Sequence, residues 1–212
     1  MNVPLKQTDE IFCPECAKPV KRDAVFCANC GIKIKNIDIS SSAKMDYNIG
    51  DTGPAGGFIF YINPKYENGG WRYFEVAPGD LTGDNSIQWQ LRRYTRKFVV
   101  MGAMGATQTA IGTGKANTQK IVDMLGDGCY AAKLCYSMTL NGYSDWFLPS
   151  KDELNLMYEN LYLKGIGSFE PDVYWSSSGY DASLAWYQSF VNGHQIDGGK
   201  YYGGRVRAVR AF

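Results

Sequence analysis

The 212-residue chain has a single histidine, His194, and no stretch approaching the ~18 consecutive apolar residues of a membrane-crossing helix. With one imidazole, a His-based catalytic triad or acid–base pair has little to work with. The N-terminus, MNVPLKQTDEIFCPEC, has no basic lead into an apolar run, so no secretory signal is expected. Excess charge is also missing. A formal net charge of +1 and a pI near 7.5 give no general pull toward nucleic acid or an anionic membrane, so partner choice must be local. The stretch AIGTGKAN at 110–117 falls short of a phosphate loop, because Thr109 stands where that motif needs glycine and Ala116 where it needs a hydroxyl.

What is present is an ordinary globular composition, with 45% hydrophobic and 20% charged residues, enough for one sizeable core and a small accessory domain. Four of the six cysteines, Cys13, Cys16, Cys27 and Cys30, form two CxxC knuckles within residues 11–31. Each knuckle puts two thiolates on one tight turn, and two facing knuckles complete the tetrahedral sulfur shell that Zn(II) prefers. A redox dithiol pair or disulfides are the competing reading, although redox chemistry needs only one CxxC beside a βαβ pattern. The segment resembles a bacterial or archaeal zinc ribbon, which implies a structural Zn(II) whose binding supplies the folding free energy. The ribbon is also a candidate for holding a protein partner. Thiols arranged for a metal argue for a reducing compartment, and the cytoplasm is expected. Residues 32–47, polar and Lys-bearing, read as a linker.

Residues 48–212 read as one α+β domain. GGFIFYI at 56–62 and WRYFEV at 71–76 pair across an Asn-Gly-Gly turn, and Trp89 anchors the core. Arg92, Arg93, Arg96 and Lys97 form a basic cluster, either an anion or glycan site or solvated loop charges. A helix is expected to Leu125, capped by Asn117 or Thr118, and a short one over 131–138. Cys129 and Cys135 read as packing thiols, with a disulfide or a copper-binding pair as alternatives. Ser150 and Glu153 form a capping box for a helix with Leu154, Met157, Tyr158 and Leu161 on its apolar face. Asp152 and Glu153 complement that helix N-terminus better than they make a catalytic pair.

The last 39 residues alternate strand text (YWSSS at 174–178, AWYQSFV at 185–191, RVRAVRAF at 205–212) with joints rich in Tyr, Gly, Ser and Asp. Such joints suit recognition, because tyrosine gives large contact area at low entropy cost and small residues let the backbone adapt. The runs GPAGGFIFYI, AIGTGKANT, AAKLC, LNGYSDWFLPSKDELNLMY, YWSSS and VRAVRAF together resemble the Lcl-type domain, named for the C-terminal domain of collagen-like adhesins. The resemblance implies a C-type-lectin-like fold, two helices and an antiparallel sheet, with the last strands presenting a ligand face. Members of that family serve as variable proteins of diversity-generating retroelements, whose NNY codons cannot encode Lys, Glu, Gln, Met or Trp. The joint residues Asp181, Ala182, Ser183, Tyr187, Ser189, His194, Ile196, Asp197, Gly198, Gly199, Tyr201, Tyr202, Gly203 and Gly204 are all reachable by such codons. Trp186, Gln188, Gln195 and Lys200 punctuate them as fixed framework.

The expected function is therefore a non-enzymatic receptor for a protein or glycan ligand. Tyr187, Tyr201 and Tyr202 are its anchors, and Trp175, Trp186, Phe190, Val206 and Val209 its scaffold. A strand edge without a partner is the alternative for Tyr201 and Tyr202. A fixed-specificity carbohydrate or glycosaminoglycan binder using the basic cluster is the second functional reading. An enzyme akin to formylglycine-generating enzymes is the third, for which Cys129 and Cys135 are poor nucleophile candidates. Glu170-Pro171-Asp172 looks like a calcium-lectin sugar triplet without its WND sequel, so no calcium site is expected.

Overall fold

A computed structural model describes residues 10–12, 18–21, 29–30, 46–66, 70–83, 85–91 and 107–212. The chain divides into two units, Met1–Asp46 and Tyr47–Phe212. In the first, β1 (Glu10–Phe12) pairs antiparallel with β2 (Pro19–Lys21) in the register Glu10↔Lys21, Ile11↔Val20, Phe12↔Pro19. This hairpin brackets Cys13 and Cys16 in sequence. Cys13, Cys16 and Cys27, most of the expected linker, and the basic cluster at 92–97 lie outside the described residues.

The second unit is α+β, with antiparallel sheets and, among the described residues, three α-helices. The resemblance implied two. In the first sheet, β3 (Phe58–Ile62), β4 (Tyr73–Val76) and β10 (Val209–Ala211) lie in the order β10-β4-β3, so the last strand closes onto the first hairpin. The expected pairing of the first two strands is observed, with a register shift between Ile59 and Tyr61. The second sheet has the order β6-β7-β8, comprising Val173–Gly179, Leu184–Ser189 and Gln195–Gly199. A short ladder joins β5 (Ile87–Gln88) to β9 (Gly203–Gly204). No described helix is long and apolar enough to cross a membrane.

Helix α1 is Gly114–Leu125, α2 is Ala131–Tyr136 and α3 is Lys151–Asn160. The α3 capping box is formed as its spacing predicts: Glu153 N–H donates to Ser150 Oγ, and Ser150 N–H donates to Glu153 Oε2. The α1 start is a correction. The helix begins at Gly114, and neither Asn117 nor Thr118 caps it, because both side chains are buried and engaged elsewhere. Asn117 exchanges hydrogen bonds with the Gln108 backbone, and Thr118 with that of Leu148. The amides at and just before the start of α1 find Glu153 instead, whose Oε1 accepts from Gly112 N–H at 2.8 Å and Gly114 N–H at 3.2 Å.

Two apolar clusters fill the unit. One gathers Trp89, Ile121, Leu125, Tyr130, Cys135, Trp146, Leu148, Trp175 and Val206; the other gathers Phe60, Phe74, Phe147, Leu154, Met157, Tyr174, Phe190 and Val209. Trp89 is the core anchor its sequence context suggests, and its indole N–H donates to the Ser176 carbonyl. Cys135 is buried within the first cluster, and Cys129 is exposed. Burial pushes the Cys135 thiol far above its ordinary range, which suits packing.

Candidate functional site

Register in the β6-β7-β8 sheet decides which joint residues share a surface. Directly opposed residues of an antiparallel pair lie on one face, and neighbours along a strand alternate. Trp186 opposes Asp197, Leu184 opposes Gly199, and Gln188 opposes both Gln195 and Tyr174, so these form one face. Tyr187 opposes both Trp175 and Ile196, and Ala185 opposes Gly198, on the other.

The second face turns inward around Trp175 and Ala185, both buried. Tyr187 belongs to it: half-buried, its ring meets Trp175 edge-on at 5.6 Å, and a Cβ at Gly198 would run into that ring. On the first face, α3 covers one end, where Gln188 donates to Asn155 Oδ1 and the Gly193 carbonyl, and Gln195 donates to the Lys151 carbonyl. The other end is open. Tyr201 and Tyr202 lie there, because a Cβ at Gly199 would stand about 3 Å from both rings.

The tips around this open end are fastened from beneath. In the first, Asp181 Oδ1 accepts from the N–H groups of Ser183 and Leu184, each at 2.7 Å. Slight desolvation raises the exposed Asp181 carboxyl, but those donors outweigh it and hold it below the ordinary range. In the second, Lys200 is fully buried, donates from Nζ to the Asp181 carbonyl at 2.7 Å, and stands 4.5 Å over the Trp89 ring. Burial draws its ammonium down to about 8, against the pull of Asp181. The Lys200 N–H donates to the Ser183 carbonyl, and the Gln88 amide donates to the Tyr201 carbonyl. One buried lysine thus ties both tips together.

Asp181, Ser183, His194, Ile196, Tyr201, Tyr202 and Gly203 are exposed; Ala182, Tyr187, Ser189, Asp197 and Gly198 are half-buried. Gly199 and Gly204 are buried. Gly204 is a packing position, since a Cβ there would stand 2.7 Å from Trp175 Nε1, which is committed to the Ile87 carbonyl. Of the expected scaffold residues, Trp175, Phe190, Val206 and Val209 are buried, but Trp186 is half-exposed. Its ring carries Lys151 Nζ 3.7 Å above it and the Tyr180 ring edge-on at 5.4 Å. Tyr180, 54% exposed, and Lys151 extend the open face beyond the residues the joints suggested. Asp172 of the triplet at 170–172 pairs with Arg205 at 3.0 Å.

Comparison with known proteins bears on the N-terminal segment. Residues 10–34 match the zinc-ribbon domain. No curated protein matches the chain. The four thiols of the ribbon, Cys13, Cys16, Cys27 and Cys30, are the donor set that fits Zn(II), and Cys30, the one described here, is exposed in a turn. Among the described residues no group of three or more His, Cys, Asp or Glu could hold a metal. Elemental analysis of purified protein should find about one zinc per chain, with most of it lost in Cys30→Ser; full zinc retention by that variant would exclude Cys30 as a ligand.

Proposed function

We propose that residues 48–212 form a non-enzymatic, C-type-lectin-like ligand-binding domain, the variable protein of a diversity-generating retroelement, acting in the cytoplasm and preceded in sequence by a zinc ribbon. One observation carries the reading. Tyr201 and Tyr202, 45% and 58% exposed, crown a tip whose backbone is held from below by Lys200 and Gln88. Contact side chains can therefore change while what fixes the loop stays, which is the division a diversified receptor needs. Closure of β10 onto β4 and the pairing of Phe147 with Val209 support a scaffold that carries the folding free energy away from the tips. The absence of a role in catalysis is supported by His194 lying exposed on a hairpin tip and by the inert setting of Cys135.

The Tyr201→Ser/Tyr202→Ser double variant should keep its melting temperature within about 2 °C while losing about 100-fold or more in affinity for a protein ligand selected against the wild type. A large drop in melting temperature would make the tyrosines core residues and overturn the reading. The retroelement part has its own test: a near-copy of the coding sequence for residues 185–207, differing at adenines, beside a reverse-transcriptase gene.

A further inference from the structure

The open face contains a part that codon-based variation could not alter. Lysine and tryptophan codons end in a purine, so Lys151 and Trp186 lie outside any NNY repertoire, yet both stand among the positions that could vary. Trp186 is directly opposite Asp197 and two residues along β7 from Leu184, whose partner Gly199 lies under Tyr201 and Tyr202. An exposed lysine is usually mobile, and ordering it on contact costs entropy. Lys151 is different, because the first turn of α3 fixes its backbone and the Trp186 face holds its ammonium at 3.7 Å. Among the described residues its ammonium has no carboxylate partner and donates no hydrogen bond. Here a cation is held ready beside an aromatic shelf.

We propose that Lys151 and Trp186, edged by Tyr180, form a constant subsite of this face that takes an Asp or Glu side chain of a protein ligand together with an apolar neighbour. The inference rests on the reading of the face as ligand-binding. A carboxylate would meet the Lys151 ammonium, and the adjoining apolar side chain would cover the Trp186 and Tyr180 rings. Because the ammonium is already held, less freedom is lost on binding than at an ordinary surface lysine. A saccharide fits less well. It needs several convergent amides or carboxylates, and the Gln188 and Gln195 amides beside Trp186 are already engaged with Asn155, Gly193 and Lys151. The variable tips would then set which protein is bound, and the constant subsite would supply a share of the affinity common to every variant.

A displayed library of random linear peptides selected on the full chain tests this. Selected peptides should be enriched in Asp or Glu next to Leu or an aromatic residue, and their affinity should fall about 10-fold or more in Lys151→Met and in Trp186→Leu. Lys151→Arg should retain binding, and raising salt from about 0.05 to 0.5 M should weaken the wild type more than Lys151→Met. Peptides without acidic enrichment, or indifferent to both variants, would overturn the subsite. Indifference to both with loss of binding in the Tyr201→Ser/Tyr202→Ser variant would overturn the subsite while leaving the ligand face intact. Failure to select any peptide, or displacement of selected peptides by neutral and acidic glycans alike, would overturn it too.

Discussion

Replacing Arg210 with methionine should lower the unfolding free energy of the C-terminal unit by about 3–5 kcal/mol, read from urea denaturation. Arg210 is 4% exposed and its guanidinium joins two carboxylates, Glu75 at 3.1 Å and Asp145 at 2.9 Å, while lying 4.1 Å over the Tyr143 ring. Glu75 is fully buried and has further obligations, accepting from the N–H groups of Ala55 and Gly57. Arg210 thus connects the entry to β3, the middle of β4 and the closing strand β10. Methionine would fill much of the volume but leave the Glu75 charge uncompensated in the interior, where an unpaired ion is strongly disfavoured. Adding Glu75→Gln to Arg210→Met should recover part of the loss, since the carboxamide oxygen can still serve Ala55 and Gly57. A loss under about 1 kcal/mol in the single variant would mean that the buried Arg210–Glu75 pair contributes little to stability.

Local signals in this sequence translated directly, and long-range ones did not. The Ser150–Glu153 capping box is legible because both partners lie within one helical turn. The same Glu153 also serves Gly112 and Gly114, about forty residues earlier, and no spacing rule points to that, so the start of α1 is displaced from its expected position. Alternation along β7 separates Trp186 from Tyr187, but it cannot say which side is core. That is set by pairing with β6, where a register shift between Trp175 and Gly179 leaves Ser176, Ser177 and Ser178 all buried. A tryptophan in a strand invites a core reading, yet Trp186 faces the open side and Tyr187 packs on Trp175. The exposure of Tyr201 and Tyr202 is what a tip set between the glycine pairs 198–199 and 203–204 suggests. The packing of Gly199 and Gly204 was not legible, since a glycine needed for close packing looks the same in sequence as one that frees a loop.

Glu153 also carries the second large effect. It is fully buried, and burial pushes its carboxyl up to about 7 even though the N–H groups of Ser150, Gly114 and Gly112 pull the other way. A carboxyl whose pKa is higher folded than unfolded binds its proton more tightly in the folded state. Its contribution to stability is therefore complete below pH 4.5 and fades as pH rises through about 7, by about 3 kcal/mol in all. Glu153→Ala removes the acceptor for three N–H groups at the joined starts of α1 and α3, and it should cost about 3–5 kcal/mol at pH 5. At pH 8 the deficit should shrink, because the wild type there holds an ionised carboxylate in the interior and the variant does not. Urea denaturation of both proteins across pH 5–8 measures this difference directly. A deficit that stays constant, or grows toward pH 8, would show that the three N–H donors keep Glu153 ionised throughout and that burial is the weaker influence.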